Sequence, residues 1–525
     1  MGIYLNPGNE KFAETVKKKI YVDKTMMISD INRIMEEENK YICMSRPRRF
    51  GKTISGNMLA AYYSKGCDSS ELFSRFKIAS DSSFRDKLNK YNVIQIDMNS
   101  EYQSVIDKSK LIEEITYAVN CELIKEFPEI DLDENESLSR SILKVYASTK
   151  EKFVIILDEY DVLVREMVSG KLFEKYLSFL NSLFKSNTLS PAIALAFITG
   201  ILPIVRDKVQ SKLNNFNEYT ALDAYELARY LGFTDEEVKE ICESNDLNYK
   251  ECKLWYDGYH QHGYDIYNPE AIVKAATNRG FENYWGKTSS YEVISEKLRQ
   301  NYEGLKEDVI KMLAGESVEL DAGMFLNTLD KFINKDDVLT YLIHLGYLAY
   351  DREERTCRIP NLEVRDEWYR AITASENYSK TDEIIKSSKK LLEETISGNE
   401  EAVARALDES HMHVTSNRSY NNEDALQSAI YLAYIYALNE YSIFRELTAG
   451  KGFADVVFIP YVPDKPALII ELKKNKCVES AIEQIKDKKY FSELEHYSGN
   501  LLFVGINYDE KLKKHSCKIE SFIKA

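Results

Sequence analysis

No stretch of this 525-residue chain stays apolar for anything near 18 residues, so the sequence offers no membrane-spanning helix. Its opening, Met1-Gly2-Ile3-Tyr4-Leu5-Asn6-Pro7, reads neither as a secretory leader nor as a myristoylation signal. No two cysteines are spaced C-x-x-C. The eight thiols stand singly, which argues against a zinc site or a disulfide frame and for a reducing, cytoplasmic setting. Positive charge is in deficit: 69 Lys and Arg against 85 Asp and Glu leave a net charge of −16. That excludes a chain that coats nucleic acid through its overall charge, and restricts any such contact to a local patch or to metal assistance. Internal repeats and low-complexity tracts are absent. No Ser/His/Asp or Cys/His nucleophilic set can be read.

What is present is an ordinary globular mix, long enough for several domains. Up to about residue 225, apolar β-rich runs (Tyr41–Met44, Val93–Met98, Phe153–Leu157, Ala192–Thr199) alternate with helical patterns such as Ile54–Tyr63 and Leu111–Phe127. That alternation predicts a parallel sheet wrapped by helices, an α/β domain over residues 1–225. Residues 226–390 read as mostly helical, with Thr234 as an N-cap. Within them a helix at Val338–Leu345, a charged-tip hairpin and a helix from Leu362 give a winged-helix-like order, equally readable as a packing module. A compact α/β unit is expected over residues 391–525: a helix at Asp424–Leu438, strands at Ser442–Leu447, Phe453–Ile459 and Ala467–Lys473, a helix near Glu479–Glu493 and a last strand at Asn500–Ile506. "SHMHVTSN", with His411 and His413, reads as a linker, and His260-x-His262 as a loop pair lacking a third metal ligand.

Chemistry concentrates in two places. The first is "SRPRRFGKT" (Ser45–Thr53), which follows a short apolar strand. Gly51-Lys52-Thr53 has the form of a phosphate-binding loop: a close backbone approach, a lysine for phosphates and a hydroxyl for a metal ion at a helix N-terminus. The first glycine of such loops is missing, and Arg46 stands there; Arg46, Arg48 and Arg49 add positive charge. "FVIILDEYD" supplies the partner. Asp158 at the end of a buried strand is placed to hold Mg²⁺, and Glu159 to orient or deprotonate water. Thr199, ending "IALAFITG", reads either as a phosphate contact or as a plain strand residue.

The second place is Asp455, Glu471 and Lys473. Pairing Phe453–Ile459 antiparallel with Ala467–Lys473 around Pro463 sets Asp455 opposite Glu471, about 4.5–5.5 Å away on one face. Lys473, two residues on, shares that face. Two adjacent carboxylates call for a divalent cation, Mg²⁺ or Mn²⁺, which would activate water, with Lys473 offsetting negative charge. Otherwise the set is an exposed hairpin pair, and a one-residue slip in register would separate its members.

"YVDKTMMISDI", "SRPRRFGKT", "IILDEYD", "FITGILPI", "LNNFNEYT", "GFTDEEV", "WYDGY" and "YNPEAI" together resemble the AAA-ATPase-like family of bacterial proteins over about residues 4–290. The resemblance implies a P-loop fold, with the arginine-rich loop as a family trait, Lys52 and Thr53 at ATP and Mg²⁺, and Asp158 and Glu159 as the acidic pair. "GFADVVFIP", "ALIIELKKNK" and "AIEQIKDKKY" resemble the PD-(D/E)xK nuclease superfamily over about residues 395–520. That adds Gln484 and Lys488 on a helix facing Asp455, Glu471 and Lys473, and Glu423 upstream. The expectation is an ATP-binding and ATP-hydrolysing protein coupled to a metal-dependent nuclease. Its nucleotide contacts are Arg46, Arg49, Gly51, Lys52, Thr53, Asp158 and Thr199. Its metal ligands are Thr53 and Asp158 at one site, Asp455 and Glu471 at the other. Its catalytic residues are Glu159, Asp455, Glu471, Lys473 and Gln484. DNA is favoured over RNA as partner, no membrane is involved, and a homo-oligomer stays open, with Arg206 as a candidate trans-acting arginine. The alternatives are a nucleotide-dependent switch whose nuclease-like domain only binds, or a loop that takes some other phosphate ligand.

Overall fold

A computed structural model describes residues 2–522 apart from 38, 169, 205–212, 287–290, 301, 314, 326–331, 374–378, 415–429, 431–432, 450–451, 461–464 and 489–498. The chain forms two compact units, each built from two segments. Met1–Thr288 joins Glu319–Val364, and Ser289–Val318 joins Arg365–Ala525. Among the described residues no helix is long and apolar enough to cross a membrane.

The first unit is organised by a parallel sheet of β1 (Tyr41–Ser45), β2 (Asn92–Asp97), β3 (Phe153–Asp158), β4 (Ile193–Gly200) and β5 (Asn217–Tyr219), in the order β2-β3-β4-β1-β5. The expected strands match within a residue or two. β5 was hidden because its "NEY" carries one buried position out of three. The near-continuous apolar runs have a physical cause, since both faces of the sheet are covered. Cys43, Ile155, Leu157 and Ile198 enter one core, while Ile42, Met44, Ile156 and Phe197 enter another on the opposite face.

Beyond the sheet, local chemistry fixes the helix starts. Thr234 and Glu237 form a reciprocal capping box at helix Asp235–Ser244. Asn248 and Asn268 cap helices Tyr249–Tyr256 and Pro269–Asn278, the second with proline at its first turn. Helix Lys335–Leu345 leads into the antiparallel strands Ala349–Asp351 and Thr356–Arg358, and helix Leu362–Thr373 follows, so the helix–hairpin–helix order is present.

The second unit holds a mixed sheet of β6 (Tyr441–Ala449), β7 (Gly452–Pro460), β8 (Ala467–Lys474), β9 (Leu501–Asp509) and β10 (Lys514–Phe522), in that order. All pairs are antiparallel except the parallel β8–β9. β10 was missed because its buried positions are held by His515 and Cys517 and not by strongly apolar residues ("KHSCKIESF"). Of the segment expected to be a linker, residues 410–414 close helix Glu400–Val414, which contains His411 and His413, and 415–417 lie outside the described residues. Most of the helix expected at Asp424–Leu438 lies outside the described residues, as do Glu423 and Arg206. Its end is a 3-10 turn, Ile435–Asn439.

Candidate functional site

β1 runs straight into the loop 46–51, and helix Lys52–Tyr63 starts directly after it. Gly51 turns the chain with φ +89°, left-handed backbone where a side chain is strained, so glycine is needed here for conformation. Lys52 is 6% exposed, and its Nζ donates to the carbonyls of Arg46 and Pro47, each at 2.9 Å. Burial pushes its ammonium down to about 8, with Asp161, Glu159 and Asp158 pulling the other way. Thr53 is exposed in the first helical turn.

β4 lies between β1 and β3, so Thr199 stands beside Met44 on one side and one step past the paired Leu157–Ile198 on the other. Its hydroxyl donates to Asp158 Oδ1, and the Glu159 amide donates to the same oxygen at 3.0 Å. Thr199, read above as a phosphate contact or a plain strand residue, is here the partner of Asp158. Glu159 has φ +51°, and its carboxylate pairs with Arg165. Arg165 also pairs with Asp161 at 3.2 Å. The buried Asp161 Oδ2 accepts the amides of Ile201 at 3.0 Å and Leu202 at 2.9 Å, so it holds the chain that leaves β4.

Of these groups Gly51, Lys52, Thr53 and Glu159 line a cleft of about 700 Å³, and Asp158, Asp161, Arg165 and Thr199 do not. Arg48 and Arg49 join its lining, and Ile20, Tyr21, Val22, Phe233 and Val273 supply an apolar portion. Arg49 Nε sits 3.4 Å from Glu270. Arg46 does not line this cleft. It is 3% exposed, and its guanidinium donates to the Thr220 carbonyl and to Gln261 Oε1 at 2.5 Å.

In the second unit the pairs Val456–Ile470, Val457–Ile469 and Phe458–Leu468 set the expected register between β7 and β8. Continued by one pleat, it brings Asp455 beside Glu471, and Asp455 Oδ2 accepts the Leu472 amide at 2.7 Å. Val457 and Ile469 pack with Ile482 and Ile485, so the face of Asp455, Glu471 and Lys473 is the one covered by helix Glu479–Lys488. Gly505, opposite Glu471 on β9, lets that helix approach: a Cβ there would lie 3.0 Å from Ala481 Cβ. Lys473 Nζ donates to Glu471 Oε1 at 2.8 Å and Gln484 Oε1 at 2.7 Å, and Gln484 Nε2 donates to the same Glu471 oxygen. Glu471 is 2% exposed, and its Oε2 has no hydrogen-bond partner among the described residues. Burial, then Asp455, push its carboxyl up to about 7.

Residues 8–210 match the model of the predicted AAA-ATPase family, and residues 421–517 that of the PD-(D/E)XK nuclease superfamily. The chain joins an AAA-ATPase-like unit to a PD-(D/E)XK-nuclease-like domain. A curated relative, an uncharacterized protein in the vnfD 5' region of Azotobacter chroococcum mcd 1, is 22% identical over 365 residues. The match takes in 66% of this chain and 64% of the relative's length. Among solved structures, Aeropyrum pernix ORC2 aligns with 68% of this chain and 98% of its own, at 14% identity and TM-score 0.30. C. elegans PCH-2 aligns with 51% and 62%, at 15% identity and TM-score 0.22.

Both sites of this AAA-ATPase-like, nuclease-like chain fit the groups their families use. The first offers a lysine bonded only to backbone carbonyls, at the start of a 12-residue helix beside a roomy cleft. The second offers a buried carboxylate oxygen lacking a partner next to a second carboxylate, a donor set suited to a hard divalent cation. Lys488, exposed at the helix end, is close enough to lower the Glu471 carboxyl slightly. Reading the residues left Asp161, Arg165 and Gln261 without roles. The first two carried a usable signal, acid and arginine four apart after an apolar strand. His260 pairs with Asp265 on an exposed hairpin. Asp235, Asp257 and Asp265 also converge, and Lys253 lies 3.1, 3.3 and 3.9 Å from them.

Proposed function

We propose that this protein binds and hydrolyses ATP in the 700 Å³ cleft and couples that turnover to metal-dependent cleavage of nucleic acid, DNA in preference to RNA. The observation that carries the nuclease reading is the buried Oε2 of Glu471, which has no hydrogen-bond partner among the described residues, gathered with Asp455, Lys473 and Gln484. A domain that only binds a partner gains nothing from a desolvated carboxylate oxygen with no hydrogen bond.

At the nucleotide site, Lys52 would exchange its two carbonyl acceptors for phosphate oxygens, with the Gly51 turn and the helix N-terminus below them. Thr53 and Asp158 would hold Mg²⁺, with Thr199 fixing the Asp158 carboxylate. Glu159 lines the cleft and would take the proton of the attacking water, oriented through Arg165. At the nuclease-like site, Asp455 and Glu471 would hold the cation. When bound, it supplies an activated water and charge stabilisation on the phosphodiester. Lys473 would set its side-chain nitrogen beside the scissile phosphate, and Gln484 would keep the Glu471 carboxylate in place.

The test incubates the full-length protein with linear, circular and single-stranded DNA and with RNA, with Mg²⁺ or Mn²⁺, and with and without ATP. Cleavage that requires metal and disappears in Asp455→Ala and Lys473→Ala supports the reading. If both variants cut like the parent protein, the site assignment is wrong.

A further inference from the structure

Three residues of the phosphate loop reach a second cavity behind it, and of these only Phe50 also lines the cleft. Arg46, Pro47 and Phe50 border a small cavity of about 20 Å³ behind the loop, together with Tyr259, Gln261 and Ile343. The Arg46 guanidinium is buried, both of its acceptors are neutral oxygens, and no carboxylate pairs with it among the described residues. Gln261 accepts from Arg46 through Oε1 and donates through Nε2 to the Ala221 carbonyl, so it bridges the loop to the chain after β5. Phe50 meets the Tyr259 ring edge-on, with centroids 5.7 Å apart and planes at 89°. The Tyr259 hydroxyl donates to the Gly346 carbonyl at 2.5 Å, and a Cβ on Gly346 would lie 2.9 Å from Pro47 Cβ. The loop is thus fitted against both the hairpin 259–267 and the end of helix Lys335–Leu345.

A continuous path follows. Gln261 holds the Arg46 side chain, the Arg46 carbonyl accepts from Lys52 Nζ, and Lys52 is the group that leaves its carbonyls for a phosphate. We propose that Arg46 and Gln261 are positioning residues for the nucleotide site. They hold the phosphate loop from behind, and they carry the occupancy of that site to the hairpin 259–267. The proposal rests on the loop being a nucleotide site. It gives the residue standing in place of the usual first glycine a task that glycine lacks: a long buried arm whose hydrogen bonds set the path of the loop.

The experiment uses the full-length protein and Mg²⁺–ATP, with affinity measured by titration calorimetry. Gln261 lies outside the phosphate cleft, yet Gln261→Ala is expected to weaken ATP binding about tenfold by leaving a buried guanidinium donor unsatisfied. Gln261→Glu, which keeps an acceptor for Arg46, is expected to restore most of the affinity. In the parent protein, ATP is expected to slow amide hydrogen exchange in residues 259–267, and in Gln261→Ala this protection is lost. That exchange measurement needs no variant to fold. Parent-like affinity in Gln261→Ala, or hairpin exchange indifferent to ATP in the parent, overturns the proposal. Lys52→Ala separates the two layers of the argument. If the parent protein binds ATP no better than this variant, the nucleotide reading itself fails and the positioning role falls with it.

Discussion

The two candidate sites both combine carboxylates with a lysine, and they treat the lysine in opposite ways. In the AAA-ATPase-like unit Lys52 is kept off its carboxylates. Its ammonium bonds to two backbone carbonyls, while Thr199 holds Asp158 and Arg165 holds Glu159. In the nuclease-like domain Lys473 bonds directly to Glu471. The difference teaches what each site lacks. Where the acids are already satisfied and the lysine rests on neutral acceptors, the site suits a polyanion, as the proposed function requires. Where two acids crowd and one oxygen has no partner among the described residues, it suits a cation, because a single lysine cannot neutralise both.

The contrast can be broken most sharply by exchanging single side chains. Lys52→Ala is expected to weaken ATP binding on the order of 100-fold while leaving the nuclease-like site intact. Asp455→Ala and Lys473→Ala are expected to reduce cleavage on the order of 100-fold and leave ATP affinity within about twofold. Calorimetry and a cleavage time course on the same preparations check both. A variant at one site that disables binding at the other would erase the distinction. Next in size, Arg165→Ala, at a residue that does not itself line the cleft, frees Glu159. Its kcat for ATP hydrolysis is expected to fall about tenfold with ATP affinity unchanged, and Arg165→Lys should recover part of the loss.

The pH dependence tests the cation side of the comparison. Glu471 ionises at about 7 in the folded protein against an ordinary 4.5. Its carboxyl therefore gives up its proton more readily in the unfolded chain. The metal-free protein loses stability as pH rises from about 4.5 through 7, and that loss ends once both states are ionised. Thermal midpoints against pH are expected to show this decline in the parent and a flatter profile in Glu471→Gln. Mn²⁺ affinity should rise over the same interval. The smallest expected effect controls for stability. Thr234→Ala removes one half of the capping box of helix Asp235–Ser244 and should cost about 1 kcal/mol by denaturant melting, with Mn²⁺ affinity unchanged.

How much of this could be read in advance depends on which rule governed each residue. The Asp455–Glu471–Lys473 set was legible because strand pleat and register are arithmetic: once the loop between β7 and β8 is placed, the shared face follows. The acidic end of β3 was legible because a fully buried parallel strand advertises itself as an apolar run. Arg46 was not. An arginine in a polar loop is ordinarily solvated, and only the packing of Thr220 and Gln261, remote in sequence, makes burial affordable. Thr199 was ambiguous for a related reason. The strand order that sets it beside Asp158 is a tertiary fact, invisible in β4 alone. β10 escaped because its buried positions are held by His515 and Cys517, which give little apolar signal.

Gly505 deserves a last look as a mechanical adjuster. The helix bearing Gln484 rests on the sheet where β9 has no side chain, level with Glu471. The clearance there is so small that one methyl group would force Ala481 and the Val478 carbonyl, each 3.0 Å from its position, to retreat by a few tenths of an ångström. Gln484 rides on that helix, so the reach of its amide to Glu471 is set by a shim of zero thickness on the neighbouring strand. Gly505→Ala would thus slacken the grip on the carboxylate while leaving every polar residue of the site in the sequence. An inventory of side chains would pass such a protein as intact, although the hold on its buried carboxylate had lost its tension.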